Sequence, residues 1–77
     1  MGLLLFGVAK DIAGQSILTL PEGITTVGEL KSWLLATYPG LQQLNSLMIA
    51  VNREYAVDNQ PIATSDEIAV IPPVSGG

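Results

Sequence analysis

Cysteine and histidine are both absent from this chain of 77 residues. Without cysteine the chain can form no disulfide bond and has no thiol nucleophile, and without either residue the usual zinc sites are excluded. Histidine is also the side chain that most often acts as a general base near neutral pH. We therefore expect a protein that binds no metal or cofactor of its own and is not an enzyme by itself.

Basic residues are scarce. Three Lys and Arg residues stand against seven Asp and Glu residues, which gives a net charge of −4. A nucleic-acid-binding protein normally presents a basic patch, whereas Lys10, Lys31 and Arg53 are scattered, so we expect no nucleic-acid partner. An acidic surface suits a basic protein partner, although ordinary solubility explains it equally well.

Long hydrophobic runs are missing as well. No apolar segment approaches the roughly 20 residues of a transmembrane helix, and no basic, apolar leader marks a secretory signal. The sequence therefore predicts no membrane association and a cytoplasmic location. Its hydrophobic fraction of 48% is typical of a single small globular domain.

The apolar residues that are present fall into short segments. Apolar runs bounded by turn residues predict strands at residues 3–8, 16–20, 48–51, 55–57 and 67–71. The first of these lacks strict alternation, which predicts a strand buried on both faces at the centre of a sheet. A helical turn is expected at residues 9–13, ended by Gly14, and residues 41–47 remain ambiguous.

One main helix is predicted to begin after Thr26. Thr26 and Glu29 have the spacing of a capping box, in which each side chain accepts a hydrogen bond from the other residue's backbone N–H. The helix should end at Pro39-Gly40. An apolar stripe at helical spacing would face the sheet, and it consists of Val27, Leu30, Leu34 and Tyr38.

The order of these elements indicates an α+β fold of the β-grasp (ubiquitin-like) type. It has a mixed sheet of four to five strands, one main helix packed across the sheet, and an extended C-terminal tail. The first two strands should pair antiparallel because their connection is short, and the first and last should lie side by side. We place the β-grasp domain at residues 1–71 and the tail at residues 72–77.

The tail is the segment most suggestive of function, and it consists of Pro72, Pro73, Val74, Ser75, Gly76 and Gly77. Proline favours an extended path and cannot donate to a strand, while glycine lacks a Cβ and fits a narrow slot. Six residues in extended form reach about 20 Å. The segment therefore resembles a stiff stalk with a thin, reactive end, the alternative being an inert, frayed terminus.

Several segments match one protein family. They are Leu5-Phe6, Lys10-Asp11, Gly14, Val51-Asn52, Asp66-Glu67-Ile68-Ala69 and the ending Ile71-Pro72-Pro73-Val74-Ser75-Gly76-Gly77. On these segments the chain resembles the small, sulfur-carrying subunit of molybdopterin synthase, a ubiquitin-like β-grasp protein. One departure is Ser65, where the family usually has glycine before Asp-Glu.

The resemblance implies a function in molybdenum cofactor biosynthesis. An E1-like adenylyltransferase would use ATP to adenylate the Gly77 carboxylate, and sulfur would then replace AMP to give a thiocarboxylate. The large subunit of molybdopterin synthase would receive residues 72–75 in a channel, with Gly76 and Gly77 at the reaction site, and pass the sulfur to cyclic pyranopterin monophosphate. The alternatives are the same carrier chemistry serving thiamin, tRNA thiolation or protein conjugation, and a β-grasp interaction module with an inert tail.

A docking surface for these partners is also expected. A single helix covers one face of the sheet, so apolar side chains on the other face are available for contact. Phe6 and residues 68–71 are the candidates, and burial in the core is the alternative for most of them.

Overall fold

A computed structural model describes residues 2–43 and 47–71 of the chain. This part contains five short strands and two α-helices. The strands are β1 (Gly2–Leu5), β2 (Ile17–Thr19), β3 (Met48–Val51), β4 (Glu54–Tyr55) and β5 (Ile68–Ile71). The helices are α1 (Gly7–Ala13) and α2 (Val27–Thr37), and a 3-10 helix covers Pro39–Gln43. The division into a domain at residues 1–71 and a tail at residues 72–77 stays a prediction.

The strands form one mixed sheet in the order β2-β1-β5-β3-β4. Strand β1 pairs antiparallel with β2 and parallel with β5, whereas β3 pairs antiparallel with both β5 and β4. The predicted β-grasp architecture is thus confirmed. The expectation that the first strand lies at the centre is wrong by one position, because β5 is the middle strand and β1 lies beside it.

Helix α2 begins with the capping box that the sequence predicts. The Thr26 hydroxyl accepts from the Glu29 backbone N–H at 3.2 Å, and the Glu29 carboxylate accepts from the Thr26 N–H at 3.1 Å. The N–H of Gly28 donates to the backbone carbonyl of Asp58 at 2.7 Å, and Lys31 Nζ lies 2.8 Å from Asp58 Oδ1. The loop between β4 and β5 therefore holds the start of the helix in place.

The helix ends where the sequence predicts. Its last residue is Thr37, and the backbone N–H of Tyr38 donates to the Leu34 carbonyl at 2.8 Å. The chain then enters the 3-10 helix at Pro39. Of the ambiguous segment 41–47, residues 44–46 lie outside the described residues.

The core lies between α2 and one face of the sheet. Helix α2 contributes three fully buried side chains, Val27, Leu30 and Leu34. Alternate strand residues join the same cluster, and these are Leu3, Leu5, Leu18, Ile49, Val51, Ile68 and Val70. Burying one such side chain stabilises the fold by about 1.5–3 kcal/mol, so this cluster fixes the helix on the sheet.

The first strand ends earlier than predicted. Residues 3–8 were expected to form one strand, but β1 stops at Leu5 and α1 begins at Gly7. Gly7 has a φ of 54°, a left-handed conformation that glycine adopts without steric cost, and the chain turns there. Burial on both faces is also wrong, since Leu4 is half-buried. The helical segment ends as predicted, because Gly14 caps α1 with a φ of 76°.

Strand β4 also differs from the prediction of residues 55–57. It covers Glu54–Tyr55, and Val57 is 67% exposed. The reason is a tight turn between β3 and β4 in which Asn52 and Arg53 have φ values of 52° and 71°. Positive φ at both central residues is the geometry of a two-residue hairpin turn, so pairing begins immediately after it.

Candidate functional site

The residues predicted to act lie at the C-terminus and outside the described residues. They are Pro72, Pro73, Val74, Ser75, Gly76 and Gly77. Strand β5, which leads into them, ends at Ile71 and is paired with β1 on one side and β3 on the other. Because both edges of β5 are paired, the point at which the predicted tail begins is fixed relative to the sheet.

The face of the sheet opposite α2 carries an apolar row across all five strands. In the order of the strands the row consists of Ile17, Leu4, Ala69, Ala50 and Tyr55, each paired with its neighbours in the register. Ile17 and Tyr55 at the two edges are 57% and 69% exposed. Ala69 and Ala50 end at Cβ, so the middle of the row is recessed between larger side chains.

This recess opens into a groove of about 430 Å³. Its lining consists of Leu4, Phe6, Ala50, Arg53, Tyr55, Glu67, Ala69 and Ile71. Phe6 follows β1 and is 50% exposed, and its backbone N–H donates to the Val70 carbonyl at 3.3 Å. Ile71 is the last residue of β5 and the last described residue before the predicted tail, so the strand that lines the groove also leads towards the tail.

A polar network joins the β3–β4 turn to the residues before β5. Asn52 Nδ2 donates to Asp66 Oδ1 at 3.1 Å, and the Glu67 backbone N–H donates to Asn52 Oδ1 at 3.0 Å. The Asn52 N–H donates to the Glu67 carbonyl at 2.7 Å. Arg53 Nε donates to Glu67 Oε2 at 3.3 Å. The turn is therefore held at the groove edge, with Arg53 and Glu67 as the charged lining residues.

The candidate surface residues predicted from the sequence fall into two groups, some in the groove and some in the core. Phe6, Ala69 and Ile71 line the groove, whereas Ile68 and Val70 are 1% and 0% exposed in the core. Of the candidate residues 68–71, every second one is therefore buried in the core, the alternative stated for them, because successive strand side chains point to opposite faces.

Sequence reasoning missed the contribution of the β3–β4 hairpin to the groove. Ala50, Arg53 and Tyr55 line it, although none was proposed as a surface residue. Alternation in β3 gives a partial signal, since Ile49 and Val51 belong to the core and Ala50 must then face the other way. Nothing local indicates that this face lies next to β5.

Among residues 2–43 and 47–71, no three acidic side chains come together in a way that could hold a metal ion. In the same ranges no helix has the length and hydrophobicity to cross a membrane.

The fold places this protein in the class of ubiquitin-like β-grasp proteins. The structure superposes on the crystal structure of SAMP1 from Haloferax volcanii, a small archaeal modifier protein, with a TM-score of 0.77 and 29% sequence identity. The superposition covers 100% of this chain and 98% of that one. The shared architecture therefore extends over the whole domain.

Within that class the chain belongs to the ThiS family, whose pattern matches residues 3–77. It is 40% identical over 78 residues to the molybdopterin synthase sulfur carrier subunit of Arabidopsis thaliana, covering 97% of this chain and 80% of that one. It is 39% identical over 80 residues to the protein of the same name from Caenorhabditis elegans, covering 97% and 94%. The resemblance to sulfur-carrying subunits seen in the sequence is thus confirmed.

Proposed function

We propose that this protein is a sulfur carrier in molybdenum cofactor biosynthesis and acts as the small subunit of molybdopterin synthase. The observation that carries the proposal is its 40% and 39% identity to sulfur carrier subunits over 97% of the chain. The family match extends to Gly77, so the similarity includes the predicted reactive end. A central strand that leads into this end supports the same function.

The chemistry takes place on the carboxyl group of Gly77. A C-terminal carboxyl has a pKa of roughly 3.5, so it is ionised at neutral pH and resists attack by a sulfur nucleophile. An E1-like adenylyltransferase joins the carboxylate to the AMP part of ATP and releases pyrophosphate. Sulfur at the oxidation level of hydrosulfide then attacks the acyl carbon and forms the C–S bond while AMP leaves, which gives the thiocarboxylate and releases a proton.

The second half of the cycle delivers the sulfur. Bound to the large synthase subunit, the thiocarboxylate sulfur forms a C–S bond to a carbon of cyclic pyranopterin monophosphate as an oxygen substituent leaves that carbon. Water then attacks the acyl carbon, the acyl C–S bond breaks with the sulfur staying on the pterin, and the water oxygen restores the carboxylate. Gly76 and Gly77 provide a chain without Cβ atoms that fits a narrow site. Pro72, Pro73, Val74 and Ser75 span the channel that leads to it.

The folded domain positions this end and docks the partners. Its sequence holds no cysteine or histidine, so we assign the sulfur to the C-terminus and the remaining catalytic groups to the partner proteins. The groove on the open face, from Leu4 to Tyr55 across the sheet, offers the partners an apolar contact area beside the start of the tail.

The test is intact mass after incubation with the adenylyltransferase, ATP and a sulfur source. The expected product has one oxygen replaced by sulfur, and adding the large subunit and the pterin precursor should return the original mass with formation of molybdopterin. A variant lacking Gly76 and Gly77 is the matched control and should stay unmodified. An unchanged wild-type mass, under conditions that modify another sulfur carrier, would refute the proposal.

The similarity to SAMP1 favours a second candidate function, protein modification. That protein is named a small archaeal modifier protein, and it shares the fold at a TM-score of 0.77 with 29% identity. In this candidate an amine of another protein, rather than sulfur, displaces AMP from Gly77. The same incubation separates the two functions, because a modifier gives covalent adducts of higher mass on added proteins and no molybdopterin.

A further inference from the structure

We propose that Arg53 determines partner specificity: its guanidinium binds a carboxylate that the large synthase subunit presents beside an apolar side chain seated in the groove. This inference rests on the proposed function, since it takes the large subunit as the occupant. It adds to that function the chemistry of one contact, an acidic group adjacent to an apolar one. The observations that support it are the conformation, position and hydrogen bonding of Arg53.

Neither the turn nor its ion pair explains an arginine at this position. Arg53 has a φ of 71°, a conformation that glycine or asparagine adopts more readily in a two-residue hairpin turn. The side chain is 87% exposed, and exposed ion pairs stabilise folds little. Backbone strain that the fold does not require is a feature of functional positions.

The position of Arg53 suits recognition of a partner in the groove. It lines the groove together with Tyr55, Ala50 and Ala69, so an apolar side chain seated over the alanines lies next to the guanidinium. The other two cations, Lys10 and Lys31, are not among the lining residues. With a net charge of −4, the protein offers an acidic partner group few attractive positions, and Arg53 therefore fixes the register of docking.

The hydrogen bonding of Arg53 favours a carboxylate over a cation as its target. Within the described residues it donates through Nε to Glu67 Oε2 at 3.3 Å, and this leaves the N–H groups of both Nη atoms for a bidentate carboxylate. Glu67, the other charged lining residue, is less exposed, at 40% against 87% for Arg53. A cation on the partner would have to compete with Arg53 for the Glu67 carboxylate. The charged group of the groove that a partner can reach is therefore the Arg53 guanidinium.

The experiment measures the affinity of the purified large synthase subunit by calorimetry. Arg53→Gly should weaken binding by about 10-fold to 100-fold, the usual effect of losing hydrogen bonds to a charged group. Arg53→Lys should fall between the wild type and Arg53→Gly, because lysine keeps the charge but loses the planar fork. Affinity should also depend less on salt in Arg53→Gly than in the wild type.

The control is Ser32→Glu, on an exposed residue of α2 on the opposite side of the sheet. It changes the net charge by the same amount as Arg53→Gly and should bind like the wild type. Wild-type affinity in Arg53→Gly, or equal weakening in the control, would overturn the role of Arg53 while leaving the proposed function intact. Failure of the wild-type protein to bind the large subunit would overturn both.

Discussion

Replacement by glycine should change the stability of the protein in opposite directions at the two central residues of the β3–β4 turn. Asn52 and Arg53 both have positive φ, 52° and 71°, and glycine suits the backbone at either position. The two side chains differ in their contacts, since Asn52 makes two side-chain hydrogen bonds and Arg53 makes one exposed ion pair. We therefore expect Asn52→Gly to destabilise the protein and Arg53→Gly to stabilise it.

The loss at Asn52 comes from two hydrogen bonds. Its amide donates to Asp66 Oδ1 at 3.1 Å and accepts from the Glu67 N–H at 3.0 Å. At about 1 kcal/mol for each hydrogen bond, Asn52→Gly should lower the free energy of unfolding by about 2 kcal/mol. Asparagine tolerates left-handed backbone well, so glycine returns little at this position.

The gain at Arg53 comes from the backbone. A residue with a Cβ in this conformation is less stable than glycine by about 1 kcal/mol, after allowing for the greater freedom of glycine in the unfolded chain. The ion pair with Glu67 spans 3.3 Å and the arginine is 87% exposed, so its loss costs about 0.3 kcal/mol. Arg53→Gly should therefore raise the free energy of unfolding by about 0.7 kcal/mol.

Thermal unfolding followed by circular dichroism checks both values. A change of 1 kcal/mol shifts the midpoint by about 4–8 °C in a domain of this size, so the two variants should differ by roughly 10–20 °C, on opposite sides of the wild type. An Arg53→Gly midpoint clearly below that of the wild type would refute the assignment of strain. An unchanged Asn52→Gly midpoint would refute the energetic role of the hydrogen bonds.

Three further predictions concern the core and the start of α2. Leu34→Ala removes a fully buried side chain and should cost about 3 kcal/mol, whereas Ile17→Ala at a side chain 57% exposed should cost far less; chemical denaturation measures both. Thr26→Ala removes the hydroxyl that accepts the Glu29 N–H and should cost about 1 kcal/mol, most of which Thr26→Ser should restore. The Thr25 backbone N–H, followed by its hydroxyl, holds the pKa of Glu29 below its ordinary value of 4.5. This contribution to stability is complete above pH 4.5 and is lost as the pH falls through the lower folded-state pKa. The difference in midpoint between the wild type and Glu29→Gln should therefore shrink in acid, and a constant difference would contradict it.

Local sequence signals predicted the elements that depend on neighbouring residues. The Thr26–Glu29 capping box and the buried residues Val27, Leu30 and Leu34 are found as expected, because capping and helical periodicity act over a few positions. The prediction of one strand at residues 3–8 failed because the apolar pattern does not report the backbone conformation of Gly7. An apolar run gives no indication of backbone direction, and the positive φ of Gly7 ends the strand inside that run.

The groove could not be predicted because its residues come together through strand register. Leu4, Ala69 and Ala50 are far apart in the sequence and become neighbours through the β1–β5 and β5–β3 pairings. Local patterns do not specify which residues pair across strands this distant. Arg53 was missed for the same reason, since it lines the groove together with Glu67 and Ala69 of a distant segment.

Strand β5 connects the core, the groove and the predicted tail. Ile68 and Val70 pack in the core, while Ala69 and Ile71 line the groove. A partner seated in the groove therefore contacts the residue that directly precedes the tail. The six tail residues reach at most about 20 Å, so a partner's reaction centre that uses Gly77 must lie within that distance of Ile71. Under the proposed function, the groove would determine where a partner sits, and the length of the tail would limit how far from it the chemistry occurs.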